Sequence, residues 1–188
     1  MVNEDFGEEE RIEIINYGMK RVKVRVLFFL YVILVGVSLN VLFEGLLFWF
    51  SFCCIRKYAG GYHADTQLRC GLISGAIIIA VFMYLKYTPI SMTVGILLQT
   101  VSYLLIFFLS PVENKNRKLN YKEKKMFRRK TQVVASVLLL GTSSIYLYDN
   151  RHYIWSVIIA YLTSAILIVI GMCKNYIEAS HINTKDIN

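Results

Sequence analysis

Long apolar stretches alternate with short polar ones along this chain. From Val26 to Ile55 the sequence is apolar except for Glu44 and a few small polar residues. A single helix of that length overshoots a bilayer core of about 30 Å, yet two full spans need about 40 residues. The stretch therefore reads as two short, tilted helices that break near Ser38–Asn40, with Lys23 and Arg25 snorkelling at the start. Gly71–Leu85 forms a third apolar stretch, closed by Lys86, and Pro89 and Pro111 bracket a fourth, Ile90–Ser110. Val133–Tyr148 is a fifth, and Tyr153–Cys173 a sixth without a charge in it. The pattern predicts an all-α fold, a polytopic membrane bundle of about six transmembrane helices.

The first 25 residues differ. Acids come first (Glu4, Asp5, Glu8, Glu9, Glu10) and bases afterwards (Lys20, Arg21, Lys23, Arg25), with Phe6, Ile12, Ile14, Ile15 and Tyr17 interspersed. That order suits a helix dipole and predicts an amphipathic N-terminal helix over 1–25 that feeds the first span. A frayed, solvated terminus is the plainer alternative. With six acids in the first 19 residues and no apolar core there, the segment is the opposite of a secretory signal.

Composition agrees with one integral membrane domain over 1–188. The chain is 56% apolar and 18% charged with two prolines, which excludes a disordered or low-complexity protein, and its mean hydropathy of +0.49 exceeds that of an ordinary soluble domain. Four cysteines, two of them adjacent at Cys53 and Cys54, do not make a disulfide framework. The net charge of +8 is concentrated: nine Lys/Arg against Glu113 and Glu123 lie between 112 and 130. In a soluble protein such a run suggests nucleic acid, but between apolar stretches it reads as a basic cytoplasmic loop under the positive-inside rule. Nucleic acid is therefore not an expected partner. Lipid is, and the same cations could meet anionic headgroups or an acidic peptide. Six spans place both termini, segment 56–70 and the 112–130 loop together on the cytoplasmic side. There is no internal repeat and no pair of broken helices in matching halves, which weakens a transporter reading.

Chemistry concentrates in Arg56-Lys-Tyr-Ala-Gly-Gly-Tyr-His-Ala-Asp-Thr-Gln-Leu-Arg-Cys70, where alone a His and a Cys lie close in sequence. A thiol becomes a nucleophile when a base takes its proton and its surroundings favour thiolate. His63 supplies a base. Cys70 adjoins Arg69 and stands at the start of the third apolar helix, where the dipole favours negative charge and helix-start amides could stabilise an oxyanion. Gly60 and Gly61 allow positive φ, so the loop could approach a peptide closely. Plainer readings exist for each: a Gly-Gly turn, Arg56 and Lys57 as a topological anchor, a chance His and Cys. Zinc on Cys53, Cys54, His63 and Cys70 is disfavoured, because adjacent cysteines are poor co-ligands and the first two fall inside an apolar helix. No metal and no cofactor is expected, and no ATP motif is present.

The pattern Arg56-x4-Gly61-x-His63-x6-Cys70 resembles the accessory gene regulator protein B family, membrane-embedded cysteine endopeptidases of Gram-positive quorum-sensing systems. The resemblance extends to Pro111-Val112 before the Lys-rich run Asn114–Leu119. It covers the chain from about Leu42 to Lys130; the last two helices match only in hydropathy. It implies His63 as base and Cys70 as nucleophile, with Arg56 and Gly61, and Gly60 beside them, as substrate-positioning or structural residues. It further implies a small propeptide substrate whose C-terminal tail is removed. The remainder is held as a thioester on the Cys, then closed into a thiolactone or lactone ring. A homodimer in the cell membrane is also implied. The motif leaves a third site residue open: Glu44, a carboxylate at membrane depth, and Asp65 are the candidates for an orienting acid. The alternative is a non-enzymatic transporter or binding scaffold for a peptide.

Geometry constrains this dyad. In an unbroken helix, positions 63 and 70 are about 10.5 Å apart along the axis, whereas direct proton transfer needs heavy atoms within about 3.2 Å. The expectation is that His63 ends one element, that the chain turns within Ala64–Arg69 with Asp65 or Thr66 as turn or cap, and that Cys70 opens the next helix.

Overall fold

Each polar break in the apolar pattern ends a helix. The computed structural model describes residues 8–62, 66–87, 91–113, 120–147 and 151–185. Within them the order is α1 (Glu8–Leu39), α2 (Leu42–Ala59), α3 (Gln67–Tyr87), α4 (Met92–Leu109), α5 (Tyr121–Leu147) and α6 (Arg151–Lys185). Among the described residues there is no strand, only an isolated parallel bridge pairing Gly60 with Val112. The all-α expectation holds.

The break between α1 and α2 falls where the sequence placed it, and for a local reason. Asn40 adopts the left-handed conformation at φ 58°, which its short polar side chain tolerates. Its N–H donates to Val37 O and that of Val41 to Gly36 O, the two bonds of a Schellman motif that satisfies the last carbonyls of α1. The N-terminal segment, in contrast, is not a separate surface helix. From Glu8 it runs into the first apolar stretch as one helix, because no breaker but Gly18 lies between them.

The basic segment also differs from expectation. Its second part is helix, since α5 begins at Tyr121 and takes in Lys122, Lys124, Lys125, Arg128, Arg129 and Lys130; residues 114–119 lie outside the described residues. One half of a capping box starts this helix: Glu123 Oε2 accepts from the Asn120 N–H at 3.0 Å, while Asn120 Oδ1 accepts from the adjacent Tyr121 N–H. Asn120-x-x-Glu123 was visible in the sequence, but the density of charge obscured it.

Among the described residues three helices are long and apolar enough to cross a membrane, over Val22–Leu39, Leu68–Tyr87 and Tyr153–Glu178; α4 carries a shorter apolar run, Thr93–Leu109. Their surroundings separate them. In α6, 61% of the span is buried inside the protein, against 11% in α1 and α3, so α6 is the central helix and the other two are peripheral. It packs on α2 and α4 most extensively, and on α5 and α3.

Two apolar clusters meet along α6. One joins Ile55 and Ala59 of α2 with Ile106, Val112, Ala135, Val157, Tyr161 and Ile168. The other joins Val32, Phe48, Ile78, Phe82, Ile159 and Ala160. Small residues let the backbones close in, as membrane helices require when no apolar solvent difference drives them together. Gly45 lies under the ring of Phe82 and Gly95 under Trp155. Three polar contacts join the helices: Gln99 Nε2 donates to Thr142 Oγ1 at 2.9 Å, Tyr103 and Ser136 hydroxyls meet at 3.1 Å, and buried Tyr161 donates to Ala135 O.

Candidate active site

The C-terminal end of α2 closes over itself. Arg56 lies one residue beyond the apolar stretch, and its guanidinium reaches back to donate to the carbonyls of Gly60 and Tyr62. A planar fork of N–H groups suits two carbonyls in a tight loop in a way that a lysine ammonium does not. To present both carbonyls to one guanidinium, the chain must reverse sharply after Ala59. Gly60 and Gly61 do this at φ 71° and 111°, a region that disfavours residues with a Cβ.

The same glycines admit close neighbours. A Cβ on Gly60 would collide with Val112 O, and one on Gly61 with Arg56 Nη1 and Leu167 O. Val112 N donates to Ala59 O at 2.9 Å and Tyr62 N to Leu167 O at 2.8 Å. Segment 60–62 is thus wedged between α6 and the stretch after α4, where the Ser110–Pro111 bond is cis. The close approach expected of this Gly-Gly pair exists, but in this structure it is made to the protein's own backbone.

Across from this loop α3 begins. Thr66 Oγ1 accepts the Arg69 N–H at 3.3 Å and Thr66 O accepts the Cys70 N–H at 3.0 Å, so Thr66 is the N-cap and Cys70 lies in the first turns of the helix. The helix opens at Gln67, three residues earlier than expected, so Cys70 is its fourth residue; Thr66 is not helical, so no helix is continuous from 63 to 70. The Cys70 amide is bonded to Thr66 O and so is not one of the unpaired helix-start amides in this conformation.

Cys70 is half-buried, as is Arg56, and the two side chains interact electrostatically. His63 and Asp65 lie outside the described residues; Tyr62, one peptide bond before His63, is described and held by Arg56.

Glu44 is elsewhere. It sits in the first turn of α2, about 18 Å along the axis from Arg56, where its neighbour Gly45 packs on Phe82 near the far end of α3. α2 and α3 run antiparallel, so the structure places this carboxylate and Cys70 at opposite ends of the pair. Cys53 and Cys54 lie within α2, and no group of three or more His, Cys, Asp or Glu side chains clusters as metal ligands would among the described residues.

Sequence reasoning missed the contribution of α6. Leu167 O holds Tyr62, Lys174 Nζ lies over the Tyr62 ring at 5.4 Å, and Asn175 Nδ2 donates to Glu113 O at 2.8 Å. These positions, with Gly171, share one face at helical spacing, but in the sequence they follow an apolar run and read only as its end.

Residues 1–170 match the protein family described as Accessory gene regulator B. An AgrB-like protein of Clostridium perfringens strain SM101 is 28% identical over 190 aligned positions, covering 96% of this chain and 88% of that protein. AgrB-like protein 2 of C. perfringens strain 13 is 27% identical over the same shares. AgrB-like protein 1 of that strain is 30% identical over 81 residues, 43% of each chain. No solved structure matches.

Proposed function

The chain belongs to the accessory gene regulator B family, and from that premise we propose that it is a cysteine endopeptidase with Cys70 as nucleophile and His63 as base. Membership places the protein in the membrane and in quorum-sensing processing by the accessory gene regulator system, with an AgrD-like propeptide as its partner. The observation that carries the chemical reading is the position of Arg56. Its guanidinium bonds the carbonyl that precedes His63 and lies within electrostatic range of Cys70, so its charge stands beside both the base-bearing loop and the nucleophile-bearing helix.

In the proposed reaction His63 takes the proton from Cys70 Sγ, and the thiolate attacks the carbonyl at the end of the propeptide's ring-forming segment. The C–N bond breaks and His63 returns the proton to the departing tail amine, leaving a thioester on Cys70. A thiol or hydroxyl of the propeptide then attacks the thioester, closes a thiolactone or lactone, and frees Cys70. A thioester lies uphill of an amide and the scheme consumes no ATP, so loss of the released tail draws the sequence forward. The site faces the cytoplasm, where a hydrophilic tail enters without crossing lipid. Arg56, Gly60 and Gly61 hold the loop, and Thr66 fixes the start of α3.

Replacing Cys70 with Ala is expected to abolish propeptide cleavage while membrane insertion is retained. Persistent cleavage by the purified C70A protein would remove the endopeptidase reading and leave a peptide-binding scaffold.

A further inference from the structure

Gly171 of α6 has no role in the motif, and the family match ends one residue before it. It is buried, and a methyl group there would lie 2.6 Å from Tyr62 N and 2.7 Å from Gly61 C. Both obstructing atoms are backbone, so no side chain can swing aside to make room. The backbone itself is confined. Tyr62 N donates to Leu167 O one turn earlier on the same face of α6, Gly61 lies against Leu167 O and Arg56, and Gly60 is bridged to Val112. Further along that face, Lys174 covers the Tyr62 ring and Asn175 holds the carbonyl of Glu113, next to Val112. The face of α6 at 167, 171, 174 and 175 is therefore a bed for the loop, and only a glycine at 171 lets the loop lie on it.

We propose that Gly171 is a positioning residue for the His63 base: its missing side chain lets Gly61–Tyr62 seat on α6, which sets where His63 stands relative to Cys70. This rests on the His63–Cys70 reading. His63 follows Tyr62 by one peptide bond, so a loop lifted from α6 carries the imidazole with it. A displacement of about 1 Å at a catalytic group can cost about a hundredfold in rate.

The test uses the full-length protein in liposomes and reads alkylation of Cys70 by iodoacetamide at pH 7, resolved by mass spectrometry. The rate follows the thiolate, which a correctly placed base supplies. His63→Ala and Gly171→Ala are each expected to slow alkylation about tenfold. The double variant is expected to be no slower than His63→Ala alone, because the two changes remove the same interaction. Gly141→Ala, a helix-interior glycine with open space around it, is the control and is expected to match the parent. Independent slowing in the double variant would reveal a general structural defect and overturn the proposal. So would a parent-like rate in Gly171→Ala while His63→Ala is slow, a result that leaves the dyad intact. If His63→Ala has no effect, the dyad fails and the proposal falls with it. Should Gly171→Ala lose its thermal transition, Asn175→Ala carries the test through the adjoining contact: slowed alkylation supports the proposal and a parent-like rate overturns it.

Discussion

Arg56 shows how much one side chain does at this site. Two carbonyls of a reversing loop converge on its guanidinium, and Cys70 of the next helix lies within electrostatic range of it. Lysine would keep the charge but lose the fork, so it could serve one carbonyl and leave the other without its partner. Arg56→Lys is therefore expected to insert and fold while lowering kcat about a hundredfold with KM little changed, because loop placement matters most at the transition state. Single-turnover cleavage measured beside KM checks this. A variant with raised KM and normal kcat would instead make Arg56 a substrate-binding residue.

Among the elements, α5 departs most from the pattern that predicted it. The Asn120–Glu123 cap starts helix in the second half of the basic run, and Lys124 pairs with Glu113 at 2.9 Å, so that cation helps hold the stretch after α4. Tyr58 at the end of α2 packs near Phe127 and lies under both Lys57 and Lys130, which ties the start of α5 to the site-bearing end of α2. Lys122, Lys125 and Arg129 are exposed and can be changed without disturbing the Glu113 pair. Neutralising these three is expected to leave KM and kcat little changed if their role is topological. A several-fold rise in KM, reproduced in the parent protein by high salt, would instead assign them to recruitment of an acidic peptide.

At the scale of the molecule, α6 is the axis on which the rest is assembled. α1 and α3 lie outside it with large apolar side chains such as Leu34, Phe43 at the start of α2, and Leu72 left exposed by the protein. Lipid accounts for that exposure in a membrane protein. If all six helices cross, Lys86 at the end of α3 and Lys122 at the start of α5 face opposite compartments, since α4 lies between them. A single cysteine at each position, in a chain whose native cysteines are replaced, is expected to react with an impermeant maleimide from opposite sides of the membrane. Labelling of both from one side would reduce the number of crossings.

The sequence by itself determined the six helices and most of their boundaries, because apolar runs, prolines and helix-ending residues act locally. Asn40 stops α1 and Thr66 caps α3 through atoms within a few residues. It likewise identified the segment that holds Arg56, the two glycines and Cys70. It misread the start of α5, where charge masked a local cap, and it offered Glu44 as a partner for a site at the other end of the same helix pair. Only the tertiary structure decided which atoms the glycines approach, what Arg56 holds, and that the last helix supplies the bed for the loop. The reason is distance along the chain. Tyr62 meets Leu167, and Gly60 meets Val112, through backbone groups whose pairing leaves no periodicity or composition to read, and such partners become visible only once the helices are packed.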